Sequence, residues 1–131
     1  MQTFFLKTAA ILGAIAVMAG AFGAHALKQV LSDKYLATFE TAVRYQFYHV
    51  LALLAMAILF KEFPNNYLLW SGRLFCVGML IFSGSLYLLT LLEAMGQHGF
   101  KWLGAITPIG GICLIAGWVL MAVGIFSIKG N

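Results

Sequence analysis

The sequence predicts an all-α integral membrane protein, a four-helix bundle of up-down topology forming a single transmembrane domain over residues 1–131. Three observations predict it. Of 131 residues, 63% are hydrophobic and only 9% charged, against about 45–50% and about 25% in soluble domains. The apolar residues fall into four stretches near the ~20 residues that a helix needs to cross a bilayer. None of the stretches alternates with period two, which argues against barrel strands. The composition also excludes a disordered chain and a disulfide scaffold. The eight Lys and Arg residues, giving a net charge of +4, are scattered. They mark membrane ends rather than a nucleic-acid surface.

The first span runs over about 4–27, with Lys7 near its start and Lys28 closing it. Its basic start and the run Ala24-His25-Ala26 imitate a secretory signal. The length of its apolar stretch and the three spans that follow argue for a retained helix. The second span, about 41–60, follows the polar segment Gln29 to Thr38. Its purely apolar part begins only at Phe47, so to cross it must reach back through His49, Gln46, Tyr45 and Arg44 to Thr41. Pro64-Asn65-Asn66 breaks the chain before a third span over about 68–92. Gly96-Gln97-His98-Gly99 separates that from a fourth over about 103–127. Pro108 suits a first helical position with Thr107 as cap, or else kinks a helix begun near Trp102.

Alternating spans place the polar residues. With side A the face where the chain begins and side B the other, the B half collects His25, Glu40, Arg44, Thr41, Tyr45, Gln46, His49, Ser83, Ser85, Tyr87, Thr90 and Thr107. Thr41, Tyr45 and His49 recur at i, i+4 and i+8 and so form one stripe. His49 then lies roughly 12 Å below Thr41 at ~1.5 Å per residue, well inside the hydrocarbon. Glu40 and Arg44, at i and i+4, read as an ion pair on the neighbouring stripe. His49 reads in two ways: the deepest titratable group of a polar pocket open to side B, or a hydrogen-bonding stitch between helices.

The glycines read as packing surfaces. Gly13, Gly20 and Gly23 line one face of the first span, and Gly110, Gly117 and Gly124 recur every seven residues on the fourth. Small residues let helix backbones approach closely in lipid. Cys76 and Cys113 differ in depth by roughly 10 Å on helix rise, too far for a disulfide. His25 and His49 lack a third ligand at metal spacing. They allow a bis-His haem between the first two spans by residue type alone. No metal and no cofactor is therefore expected. No complete catalytic set is visible, and the chain leans away from being an enzyme.

Five runs resemble a known family: Gly20-Ala21-Phe22-Gly23-Ala24-His25, Tyr45-Gln46 with His49, Phe82-Ser83-Gly84-Ser85-Leu86-Tyr87, Thr107-Pro108-Ile109-Gly110-Gly111 and Gly117-Trp118. Together, in this order, they resemble the signature of the YgdD/YwdK-type small membrane proteins and touch all four spans. The resemblance implies a four-helix membrane protein and supplies no reaction. It also ranks Tyr45, Gln46, His49 and His25 above Glu40 and Arg44 as candidates for a shared site.

The chain is thus expected in the cell (inner) membrane, with the lipid bilayer as its surroundings. One functional expectation is a polar site in the B half that binds or moves a small molecule, a lipid head group or a proton. The alternative is a structural or accessory subunit that packs with itself or with a larger membrane complex, because two small-residue faces exceed what four helices need if both point outward. Side A has Lys7, Lys61, Arg73 and Lys129; side B has Lys28, Lys34, Arg44 and Lys101. Discounting Arg44 as paired leans side A, and both termini, to the cytoplasm.

Overall fold

The computed structural model describes residues 1–129. It is all-helical, with α1 (Gln2–His25), α2 (Asp33–Glu62), α3 (Asn66–Ala94) and α4 (Thr107–Phe126), and with 3-10 turns over Leu27–Gln29 and Lys101–Ala105. All four helices are long and apolar enough to cross a membrane.

Local chemistry sets the boundaries. Ser32 starts α2 by accepting the backbone N–H of Tyr35 at 3.4 Å, and Asp33 in the first turn suits the positive end of the helix dipole. This cap lets the polar segment before Thr41 join the helix, so α2 begins earlier than its apolar stretch. Asn65 caps α3 by accepting the N–H of Leu68 at 3.0 Å. The end of α3 is a Schellman turn: Gly96 takes φ +79°, its N–H meets the Glu93 carbonyl at 3.0 Å, and the Gln97 N–H meets Leu92 at 2.9 Å. Thr107 does not cap α4. The cap position is Ile106, with Pro108 in the first turn, because the Thr107 hydroxyl turns to Ser85 of α3, 2.6 Å away.

The extensive helix contacts run between chain neighbours: α1 on α2, α2 on α3 and α3 on α4. One stripe of α3, including Leu68, Ser71, Phe75, Gly78 and Phe82, meets α4. The stripe with Gly72, Cys76, Met79, Ser83 and Tyr87 turns toward α1 and α2. α1 touches α3 where the Phe5 ring abuts Gly72. The A half is an apolar core in which Phe5, Leu53, Met56, Leu68 and Phe75 are fully buried. Such packing gains dispersion contacts that lipid tails supply less well.

Both glycine faces turn inward. Added Cβ atoms on α1 would meet α2: 3.4 Å from Val50 at Gly13, 3.5 Å from Val43 at Gly20, and 2.8 Å from the Phe39 ring at Gly23. On α4 they would meet α3, with the Phe82 backbone at Gly110, the Phe75 ring at 2.8 Å at Gly117 and Leu68 at 2.9 Å at Gly124. The outward small-residue faces that favoured an accessory, self-assembling role are therefore used inside this chain.

Candidate functional site

The buried polar residues of the B half do not form one pocket. They divide between the two sides of the α2–α3 pair. On the α1 side, a crevice of about 320 Å³ lies between α1 (Thr8, Leu12, Ile15) and α3 (Cys76, Met79, Leu80, Ser83, Gly84, Tyr87), with Gln46 of α2 in its wall. Leu80, 75% exposed, and Ile15, 40% exposed, stand at its rim, so it opens sideways to the lipid.

Gln46 orders this crevice. Its side chain is 3% exposed. The Nε2 amide donates to the Leu12 carbonyl at 2.7 Å, and Oε1 accepts the Tyr87 hydroxyl at 2.7 Å. A carbonyl can only accept, so the Leu12 contact assigns which end of the amide is nitrogen. One side chain of α2 thereby ties α1 to α3. Ser83 donates to the Ala42 carbonyl at 2.7 Å, fastening α3 to α2 beside it. Among the described residues, no Lys, Arg, His, Asp or Glu lines the crevice.

On the α4 side lies an aromatic seam. His49 Nδ1 sits 2.7 Å from the Tyr45 carbonyl, which can only accept, so Nδ1 carries the proton. Nε2 then accepts the Trp118 indole N–H at 3.1 Å. Both ring nitrogens are engaged inside the protein, and the imidazole joins α2 to α4. Its ring also packs near Phe75, with centroids 5.7 Å apart. Tyr45 lies over Phe82 at 4.9 Å between centroids, yet is 40% exposed. Ser85 and Thr107 form a third contact along the α3–α4 seam: Ser85 donates to Phe82 O at 2.9 Å and so accepts the Thr107 hydroxyl at 2.6 Å.

The structure thus groups Gln46, Ser83 and Tyr87 in the crevice, Tyr45 and His49 in the seam, and Ser85 with Thr107. It leaves His25 exposed at the end of α1, without a side-chain hydrogen bond among the described residues. Thr41 turns away as well, donating to the Ala37 carbonyl of its own helix at 3.0 Å. Glu40 and Arg44 are a correction: among the described residues the ion pair present is His98–Glu93, at 2.8 Å. Glu40 and Arg44 are both exposed, where an i, i+4 pair is worth only about 0.2–0.5 kcal/mol against water. Arg44 therefore has no pairing to discount. The cations stand four against four, and the lean that placed the termini in the cytoplasm loses its basis.

Three participants were missed. The Leu12 carbonyl and Thr8 carry no motif, because a backbone oxygen and a lone hydroxyl in an apolar run look like any others. Trp118 sat in a recognised run, and its indole N–H needs an acceptor when it lies inside a membrane; that need was the available signal. Among the described residues no three His, Cys, Asp or Glu side chains are grouped to hold a metal ion.

Comparison with known proteins places the chain among membrane proteins. The family model described as "Protein of unknown function (DUF423)" matches residues 19–111. A UPF0382 membrane protein of Staphylococcus haemolyticus (strain JCSC1435) is 43% identical over 129 residues, covering 95% of this chain and 100% of the relative. A UPF0382 membrane protein of Staphylococcus saprophyticus is 45% identical over 127 residues, 94% of this chain and 100% of the relative. The UPF0382 inner membrane protein YgdD of Escherichia coli (strain K12) is 38% identical over 126 residues, 96% of this chain and 92% of the relative. No solved structure matches.

Proposed function

This chain belongs to the DUF423 family of membrane proteins, and from that premise we propose that it binds a small, hydrocarbon-soluble molecule taken laterally from the bilayer. The observation that carries the reading is the crevice of about 320 Å³ between α1 and α3, with Gln46 at its wall and its rim toward lipid. Ligand pockets commonly start near ~300 Å³ and combine apolar walls with a few placed polar groups. Gln46 holds Leu12. Leu12 lies roughly 15 Å along α1 from Gln2 at ~1.5 Å per residue, near the middle of a core ~30 Å thick. A head group held at the interface does not reach this depth, so the reading favours a molecule that enters the hydrocarbon whole.

The test is photolabelling in lipid nanodiscs with a hydrophobic diazirine probe. Peptides bearing Leu12 and Met79 should label above those bearing Ile115 and Val119, on the outer face of α4. Gly84 lines the crevice, and an added Cβ there meets nothing within 4 Å, so Gly84→Trp should plug it and remove the excess label. Uniform labelling along all outward faces would overturn the reading.

The topology adds an expectation. Four crossings return the chain to the side where it began, so reporters fused at the N- and C-termini should give the same answer. Opposite answers would mean that one helix does not cross.

A further inference from the structure

Resting on the crevice reading, we infer that the molecule held there is uncharged and presents a carbonyl, as in an ester or ketone, to Thr8 and Gln46. The argument is a count of hydrogen-bonding groups. The Gln46 amide has two protons, and one goes to the Leu12 carbonyl at 2.7 Å. The second has no partner among the described residues. The Tyr87 hydroxyl is committed to Gln46 and the Ser83 hydroxyl to Ala42. Thr8 remains. Every threonine of α2, α3 and α4 has an acceptor for its hydroxyl proton: Thr38 the Lys34 carbonyl, Thr41 that of Ala37, Thr90 that of Leu86, and Thr107 the Ser85 hydroxyl at 2.6 Å. Thr8 lines the crevice and has no such acceptor among the described residues.

Two donors are therefore open toward one apolar cavity. Thr8 precedes Leu12 by one turn of α1, so the two lie ~6 Å apart along the helix axis. In hydrocarbon no water meets them, and an unmet N–H is a costlier vacancy than a spare lone pair. The complementary group is an acceptor. With no cation or anion on the walls, an ionised ligand would have no counter-charge at this depth. Those two conditions select a neutral carbonyl. The midplane depth favours a free neutral compound over the ester of a bulk glycerolipid, whose carbonyls stay near the interface.

The test uses the full chain in nanodiscs of dialkyl ether phosphatidylcholine, so that the probe supplies the lipid carbonyl. Three probes share one diazirine-bearing chain and differ at the end: methyl ester, carboxylate and plain alkane. The ester should label the crevice peptides roughly 3- to 10-fold more than the alkane, the range for one hydrogen bond. Thr8→Val keeps the shape and breaks no protein bond, and it should lower that preference toward unity. Equal crevice labelling by ester and alkane, still above the outer α4 face, would overturn the carbonyl assignment and leave the crevice reading standing. Carboxylate labelling above the ester, or a full ester preference in Thr8→Val, would also overturn it. Crevice labelling no higher than the outer α4 face for all probes would overturn the crevice reading itself. Replacing the ether lipid with diacyl lipid separates the sources: an unchanged ester signal supports a free compound, whereas competition would overturn that choice in favour of the glycerolipid ester.

Discussion

Replacing Gly110 with leucine should separate α3 from α4 and cost more stability than any other single change considered for this chain. A Cβ at position 110 would meet the backbone N and Cα of Phe82. Main-chain atoms cannot rotate aside as a side-chain tip can, so relief must come from moving a helix. Overpacking of a well-filled core typically costs 1–3 kcal/mol, and a collision with backbone belongs at the upper end, about 3 kcal/mol. Moving α4 would also stretch the His49–Trp118 bond, now 3.1 Å, and the Ser85–Thr107 contact. Gly111→Ala is the matched control, because its Cβ would sit 3.7 Å from the Phe82 ring, an ordinary contact. Reversible unfolding in mixed micelles measures both variants. If Gly110→Leu unfolds at the same denaturant fraction as Gly111→Ala, the close α3–α4 approach is not what holds the two helices.

Gln46→Leu should have the second-largest effect and should act on both stability and the crevice. Leucine approximates the shape while removing the bonds to the Leu12 carbonyl and to Tyr87. Interhelical hydrogen bonds in membranes average about 0.6 kcal/mol and reach about 1.7, so two of them predict a loss of about 1–3 kcal/mol. The loss includes leaving the Tyr87 hydroxyl without its acceptor in an apolar wall. A double-mutant cycle with Tyr87→Phe should show a coupling of about 0.5–1.5 kcal/mol. Thr41→Val, which disturbs only a bond within its own helix, should stay within about 0.5 kcal/mol. Strict additivity of Gln46→Leu and Tyr87→Phe would mean that the 2.7 Å contact contributes nothing.

Much of the fold was legible because a bilayer imposes simple requirements. Every backbone N–H and C=O must be paired within the segment, which makes a long apolar stretch a helix. Pro64 and Gly96 had to interrupt such stretches. The start of α2 at Asp33 was harder to see, since a capping serine at a polar end works outside the apolar pattern. Helical period puts Thr41, Tyr45 and His49 on one stripe; of these the Tyr45 and His49 rings stack with centroids 6.3 Å apart, whereas Thr41 bonds back to Ala37 of its own helix.

The sequence by itself determined the membrane as solvent and the four long apolar helices. Those properties follow from composition and from a period that each helix carries alone. Tertiary structure alone decided which neighbour covers each face. Gln46 and His49 are three residues apart on α2, yet Gln46 reaches α1 and α3 whereas His49 reaches α4. At ~100° per residue they diverge by about 60° around the helix axis. That is enough to aim them at opposite sides of the α2–α3 contact once α1 packs on one side and α4 on the other. Periodicity lists what shares a face; only packing supplies the partner, and the partner makes one glutamine the wall of a cavity and the nearby histidine a link between helices.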